Sequence, residues 1–374
     1  MISKKRISSV IAMIMIVCLC FSSYAAVGTP SNINYSISTA GTFLYCNNPE
    51  SVYKDDLADP AYGKHSVLEE TVNAGNVRFF AEHNNFFSGV PYTLCLRAKN
   101  TSQTNSVYIT ILKRASSNSL DDPYGKKTIE NFYTMSNLNY PLRLGPGESK
   151  DIMYSVTCPT GSYMTALAQF TVSAPVQISE YLYSNSISSD AHYEGYKYDP
   201  GKTQMLTYKG VGRTHSGSVA YPVVSNTYRW EINNSTSGNL PVTYNGITGS
   251  SWNSNATYGG QYILSDIIYY KESDVGFTFG SDYSLGNWGV EYNDTYEIKN
   301  SGTTTRTINI NYPTSKFYTC TPTARDDLNN AVAVTPTSSG YSFKVASGRT
   351  VTVNIVKCYL TNVSAPVTNS VSVQ

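Results

Sequence analysis

The stretch KNTSQTNSVYITI, Lys99 to Ile111, returns two hundred residues later as KNSGTTTRTININ, Lys299 to Asn311. Each copy is a polar turn followed by an alternating run. Side chains two positions apart in a strand share a face, so Val107, Ile109 and Ile111 form one apolar row, and Ile308, Ile310 and Tyr312 another. The residues entering the turns alternate too: Tyr92, Leu94, Leu96 and Ala98 in the first copy, Tyr296 and Ile298 in the second. Strand, polar turn, strand reads as a hairpin. The repeated asparagine suits a turn, because it tolerates left-handed backbone and hydrogen-bonds its own main chain.

The echo extends in both directions. GPGESKDIMYSVTC runs from Gly145 to Cys158, and ASGRTVTVNIVKC from Ala346 to Cys358. Asn100 to Gly147 spans 47 positions and Asn300 to Gly348 spans 48. Upstream, NAGNVRFFAE (Asn73 to Glu82) echoes ESDVGFTFGS (Glu272 to Ser281), and both copies close on SAPV, at Ser173 and Ser364. The interval from the cysteine to SAPV differs between copies. No segment keeps a 3.6-residue apolar period. Alternating strands between polar turns predict an all-β fold: two Ig-like antiparallel β-sandwich modules in tandem, related by duplication. The expected boundaries are residues 26–178 for the first module, a polar, tyrosine-studded linker over 179–202, the second module over 203–367, and a tail over 368–374.

The N-terminus stands apart from this pattern. Lys4, Lys5 and Arg6 precede an apolar run from Val10 to Phe21, and Ser23-Tyr24-Ala25 places small residues where a signal peptidase needs them. The expectation is a signal peptide over 1–25 and a secreted, extracellular protein associated with the cell surface, with no membrane span after cleavage. Without Lys4, Lys5 and Arg6, 24 basic residues face 26 acidic ones, so no basic surplus is available to neutralise nucleic-acid phosphates. Charged residues make up only 14% of the chain, against about a quarter in ordinary domains. Thirty-two tyrosines supply large side chains that sit between core and water. Export permits disulfides. Cys18 and Cys20 leave with the signal, and Cys320 and Cys358, each ending an alternating strand, are expected to pair. The pairing of Cys46, Cys95 and Cys158 stays open.

The stretch from Asp55 to Ile111, with DDLAD, NVRFFAEHNN and the Asn-Thr turn, resembles a module of secreted Gram-positive bacterial proteins, mainly over residues 40–175. The resemblance implies a β-fold at the cell surface. It implies no activity and supplies no functional residues.

Chemistry is sparse. GYKYDPGKT (Gly195 to Thr203) misses the spacing of a phosphate loop and carries Pro200 where an amide donor is needed. His215 and Ser216 are adjacent and would point to opposite faces of a strand. His65, His83, His192 and His215 are scattered, which predicts no metal site and no cofactor, although EHNN (Glu82 to Asn85) and the acidic DDLAD are the segments that would contribute ligands. LPVTY (Leu240 to Tyr244) resembles a sortase signal only superficially. No catalytic residues are expected. Trp230, in phase with Tyr228 and Ile232, reads as core. Trp252, Tyr258 and Trp288 lie in Gly/Asn-rich loops, and loops carry binding function disproportionately. The reading is a non-enzymatic structural or adhesion component, with cell-wall polysaccharide or another surface protein as partner. The alternative is a carbohydrate-binding module using those three rings.

Overall fold

The computed structural model describes residues 31, 32, 34–46, 51–62, 65–120, 125–188, 197, 198, 206–208, 211–213, 216–244, 247–254, 261, 262, 270, 271, 291–315, 317–360 and 367–374. The expected signal peptide lies outside them. The principal strands are β1 (Asn34–Cys46), β2 (Leu68–Val72), β3 (Gly75–Asn84), β4 (Tyr92–Lys99), β5 (Val107–Asn118), β6 (Tyr140–Leu144), β7 (Ser149–Cys158), β8 (Tyr163–Val172), β9 (Val176–Ser184), β10 (Ser216–Ile232), β11 (Trp252–Ser254), β12 (Glu291–Asn300), β13 (Arg306–Asn311), β14 (Phe317–Thr319), β15 (Thr323–Asp326), β16 (Val334–Thr337), β17 (Gly340–Val345), β18 (Thr350–Tyr359) and β19 (Val367–Val373). Among the described residues there is one α-helix, α1 (Lys126–Thr134), on β5 and β8.

The fold is all-β, as the alternation predicts. In the first half, a sheet ordered β2-β9-β4-β7 faces strands β3, β8, β5 and β6. Between them lie Val77, Phe79, Ala81, Leu94, Leu96, Ile109, Ile111, Phe170, Ile178 and Leu182, all buried. Full burial of such a side chain contributes about 1.5–3 kcal/mol.

The two halves are not beads on a string. One ten-stranded sheet runs β14-β18-β12-β10-β1-β3-β8-β5-β6, with β15 also on β18. The first part of β10 pairs antiparallel with β1, and its second part pairs parallel with β12. β1 also runs parallel to β3, so the expected purely antiparallel pattern gives way at the seam. Gly41 permits the approach of β1 to β3: its φ is 129°, and a side chain there would lie 2.1 Å from the Asn76 carbonyl oxygen. The register of β10 shifts between Ala220 and Pro222, where the proline takes a bulge rather than a ladder hydrogen bond. The back of β3, with Phe80, joins Phe43, Leu167, Ile129 and Phe132 in one core with Tyr228, Trp230, Tyr296, Ile308 and Val371 of the second half.

Two expected boundaries move accordingly. Residues 179–184 belong to β9, not to a linker: Glu180 and Leu182 are buried on one face of the strand, and Tyr181 and Tyr183 on the other. The expected tail over 368–374 is mostly strand: β19 pairs with β13 and buries Val371 and Val373.

The repeated asparagines do the same work in both halves. The Asn100 side-chain amide donates to the carbonyls of Asn105 (2.7 Å), Leu144 (3.2 Å) and Gly145 (2.9 Å). That of Asn300 donates to Thr304 (2.8 Å) and Val345 (3.0 Å). Each side-chain oxygen accepts the backbone N–H two residues on, and each backbone N–H donates to the carbonyl of Glu148 or Arg349. Gly147 and Gly348, with φ of 69° and 67°, turn the chain at equivalent points. The orders β8-β5-β6 and β19-β13-β17 also correspond. The halves differ beside the asparagine-bearing strand. β9 lies antiparallel to β4, whereas β10 lies parallel to β12.

Candidate metal centre

Strand phase brings three ligand-type side chains into the first core. On β3, Val77, Phe79, Ala81 and His83 alternate on the face toward the facing sheet. β1 runs beside it with Cys46 opposite Ala81, which sets the thiol near the same row. On β9, Ile178, Glu180 and Leu182 form the opposing buried row. His83 and Glu180 therefore meet across the sandwich, with Nε2 of His83 2.9 Å from Oε1 of Glu180 and both side chains fully buried. The donor atoms of Cys46, His83 and Glu180 all lie within 4.8 Å of one another. The Cys46 thiol also points at the Val67 carbonyl, 3.9 Å away. The second carboxylate oxygen of Glu180 has no hydrogen-bond partner among the described residues.

Tyr92 closes one side, donating to the His83 carbonyl at 3.3 Å. Burial, reinforced by Cys158, Glu180 and Asp56 nearby, raises its hydroxyl well above the ordinary tyrosine value, so it stays protonated. The acidic DDLAD segment does not join this cluster as a ligand. Asp56 accepts the Tyr53 backbone N–H, and Asp59 accepts from the Ala61 backbone and the Ser186 hydroxyl. These aspartates fix turns.

A second polar cluster lies at the seam. Lys357 on β18 is 2.6 Å from Asp294 on β12, with side chains 3% and 1% exposed. Asn226 on β10 donates to the other Asp294 oxygen (2.8 Å), and Tyr296 donates at 3.1 Å. The ammonium also sits over the rings of Phe317 and Tyr312, 4.8 and 5.6 Å from their centroids. Nearby, Tyr133 of α1 donates to Glu291 (3.2 Å) and accepts from Arg78 (3.0 Å) and from the Cys358 thiol (2.9 Å).

That last contact corrects the expected Cys320–Cys358 disulfide: both are free thiols. The register sets Cys358 opposite Tyr318, and the Cys320 N–H bonds the Val356 carbonyl, so the two cysteines are diagonal rather than opposed. Diagonal neighbours stand about 7–8 Å apart, too far for a relaxed bridge. Burial, with the Glu291 carboxylate adding to it, pushes the Cys358 thiol up to about 12. Thiolate is the reactive form. Iodoacetamide is therefore expected to leave Cys358 unmodified in the folded protein and to label it after denaturation, read by peptide mass spectrometry. Rapid native labelling would show an open seam.

Trp230 is core, as expected: it is 3% exposed, and its indole N–H donates to the Pro241 carbonyl at 2.8 Å. LPVTY contributes Leu240 and Val242 to the same core. Trp252 lies on β11, paired with β19, but its side chain is outside the described set, as are Tyr258 and Trp288 altogether. The exposed rings that the structure does describe are elsewhere. Tyr53 and Phe87 stack with centroids 5.0 Å apart and planes 8° apart, and are 42% and 55% exposed, beside Phe86 at 53%.

No protein-family model matches the chain, and no curated protein does. Among solved structures, the McoA multicopper oxidase from the hyperthermophile Aquifex aeolicus aligns over 76% of this chain at 11% identity and a TM-score of 0.12. The chain spans about half of that protein, covering 49% of it, and a likeness at this score carries no argument. Among the described residues no helix is long and apolar enough to cross a membrane.

Proposed function

We propose that the chain is a secreted, non-enzymatic structural or adhesion component acting at the surface of a Gram-positive cell. The observation that supports this reading is the seam: one ten-stranded sheet and one shared core unite the two halves. Backbone hydrogen bonds that cross from one half to the other resist hinging, and a surface spacer or adhesin needs that stiffness. Duplication of one module belongs to the same reading, supported by the matched asparagine clamps.

Carbohydrate binding is the second reading, and the stacked Tyr53–Phe87 pair with Phe86 favours it. Exposed stacked rings offer an apolar outer face that a sugar covers. This adds Tyr53, Phe86 and Phe87 as a candidate contact beside the one expected at Trp252, Tyr258 and Trp288.

One pulldown separates the readings. Residues 26–374 are incubated with purified peptidoglycan, insoluble polysaccharides and whole cell walls retaining their proteins. The structural or adhesion reading expects retention on protein-bearing walls only, unchanged in Phe87→Ala. Retention on pure polysaccharide, lost in Phe87→Ala and Tyr53→Ala without a change in Tm, would establish the sugar reading. Retention on none of these surfaces would sink both.

A further inference from the structure

We propose that Cys46, His83 and Glu180 bind one zinc-class divalent cation, which ties the ends of β1 and β3 to β9 across the first sandwich. The donor set fits that ion. A thiolate, an imidazole and a carboxylate are all ligands that zinc accepts in four-coordinate sites. Thiolate excludes the hard cations, which prefer oxygen, and carboxylate is a poor ligand for monovalent copper.

Charge balance points the same way. A divalent ion with one thiolate, one carboxylate and a neutral imidazole makes a neutral unit, which a core flanked by Phe79, Ala81, Ile178 and Leu182 tolerates. Without the ion, the core holds a carboxylate whose Oε2 has no partner. Such a group carries an uncompensated desolvation cost. One Glu180 oxygen, the thiolate and the imidazole fill three positions of a tetrahedral ion, and a water in the fourth donates to the other carboxylate oxygen.

The geometry is close to what binding requires. With zinc about 2.0–2.2 Å from nitrogen and oxygen and about 2.3 Å from sulfur, donors on one tetrahedral ion stand about 3.3–3.7 Å apart. Here the nitrogen–oxygen separation is 2.9 Å and every pair lies within 4.8 Å, so rotamer adjustments of about an ångström close the site. Binding replaces the His83–Glu180 hydrogen bond, releases the thiol proton, and takes the neutral imidazole through an unprotonated Nε2 with its proton on Nδ1. Because all three side chains are fully buried, the ion enters as the sandwich closes, and binding energy becomes folding energy.

The test uses residues 26–374, refolded in parallel with zinc and with a chelator. Elemental analysis after gel filtration is expected to find one zinc per chain, with a higher Tm for the zinc-refolded protein. Refolding with cobalt(II) is expected to give tetrahedral d–d bands and a thiolate-to-cobalt band in the near ultraviolet. Cys46→Ser should abolish the thiolate band, and Glu180→Gln should weaken zinc by more than about tenfold. The wild-type comparison stands even where a variant fails to fold. A metal-free chain with the same Tm in both preparations would overturn the proposal and leave a hydrogen-bonded His–Glu pair. A thiolate band that survives Cys46→Ser, or stoichiometric copper or iron in place of zinc when all are offered, would overturn it too.

Discussion

Lys357→Ala is expected to lower the unfolding free energy by about 3–5 kcal/mol, because it strands the Asp294 carboxylate in a dry seam. Asn226 and Tyr296 would still donate to it, but the charge would have no counter-ion. Lys357 would also leave the faces of Phe317 and Tyr312 with a cavity. The pair itself is worth less than that figure. Replacing both charges with apolar groups of similar volume, Lys357→Met with Asp294→Leu, is expected to cost less than the single lysine deletion. Urea unfolding of the three variants measures this as a cycle. A loss below about 1 kcal/mol for Lys357→Ala would place the pair among solvent-screened ion pairs and contradict the closed seam.

The second large effect concerns the clamps. Asn100→Ala and Asn300→Ala are each expected to cost about 2–3 kcal/mol, since each deletes several buried hydrogen bonds and leaves carbonyls of a neighbouring turn unsatisfied. The affected acceptors are Leu144 and Gly145 in one half and Val345 in the other. Aspartate at either site keeps the size and the oxygen that accepts from Ser102 or Gly302 but loses the donors, so it should not rescue. Thermal unfolding reads the result. If one substitution is costly and the other silent, the two asparagines do not share a role.

Why these positions were legible in sequence, and others not, follows from distance along the chain. The asparagine clamps are local: turn, alternating strand and returning glycine lie within one unit, so spacing alone exposes them. The Trp230 row is local in the same way. The seam is not. Nothing in Asn34–Cys46 announces that its neighbours will be β3 and a strand 170 residues later, and parallel pairing leaves no turn signal. The Cys320–Cys358 expectation failed for a related reason. Strand ends can be read from alternation, but a register offset of two residues cannot.

The candidate metal centre was missed through a boundary error. VQISEYLYS reads as the edge of a linker when its tyrosines are counted as polar. Read by phase, Glu180 stands between Ile178 and Leu182, and His83 continues the row of Val77, Phe79 and Ala81. An ionisable residue in step with a core row is a signal that sequence does carry. Which two such residues face each other is decided only when the sheets stack.

The shared strand β10 also sets an order in time. Its first partner, β1, is made long before it, but its second partner, β12, ends at Asn300, sixty-eight residues beyond Ile232. During synthesis or refolding, β10 thus presents a bare hydrogen-bonding edge until β12 and β18 arrive. Pairings this remote fold slowly, and an uncovered edge recruits other chains. A chain truncated before Glu291 is therefore caught in its most adhesive state, and its characteristic failure is edge-to-edge aggregation rather than simple unfolding.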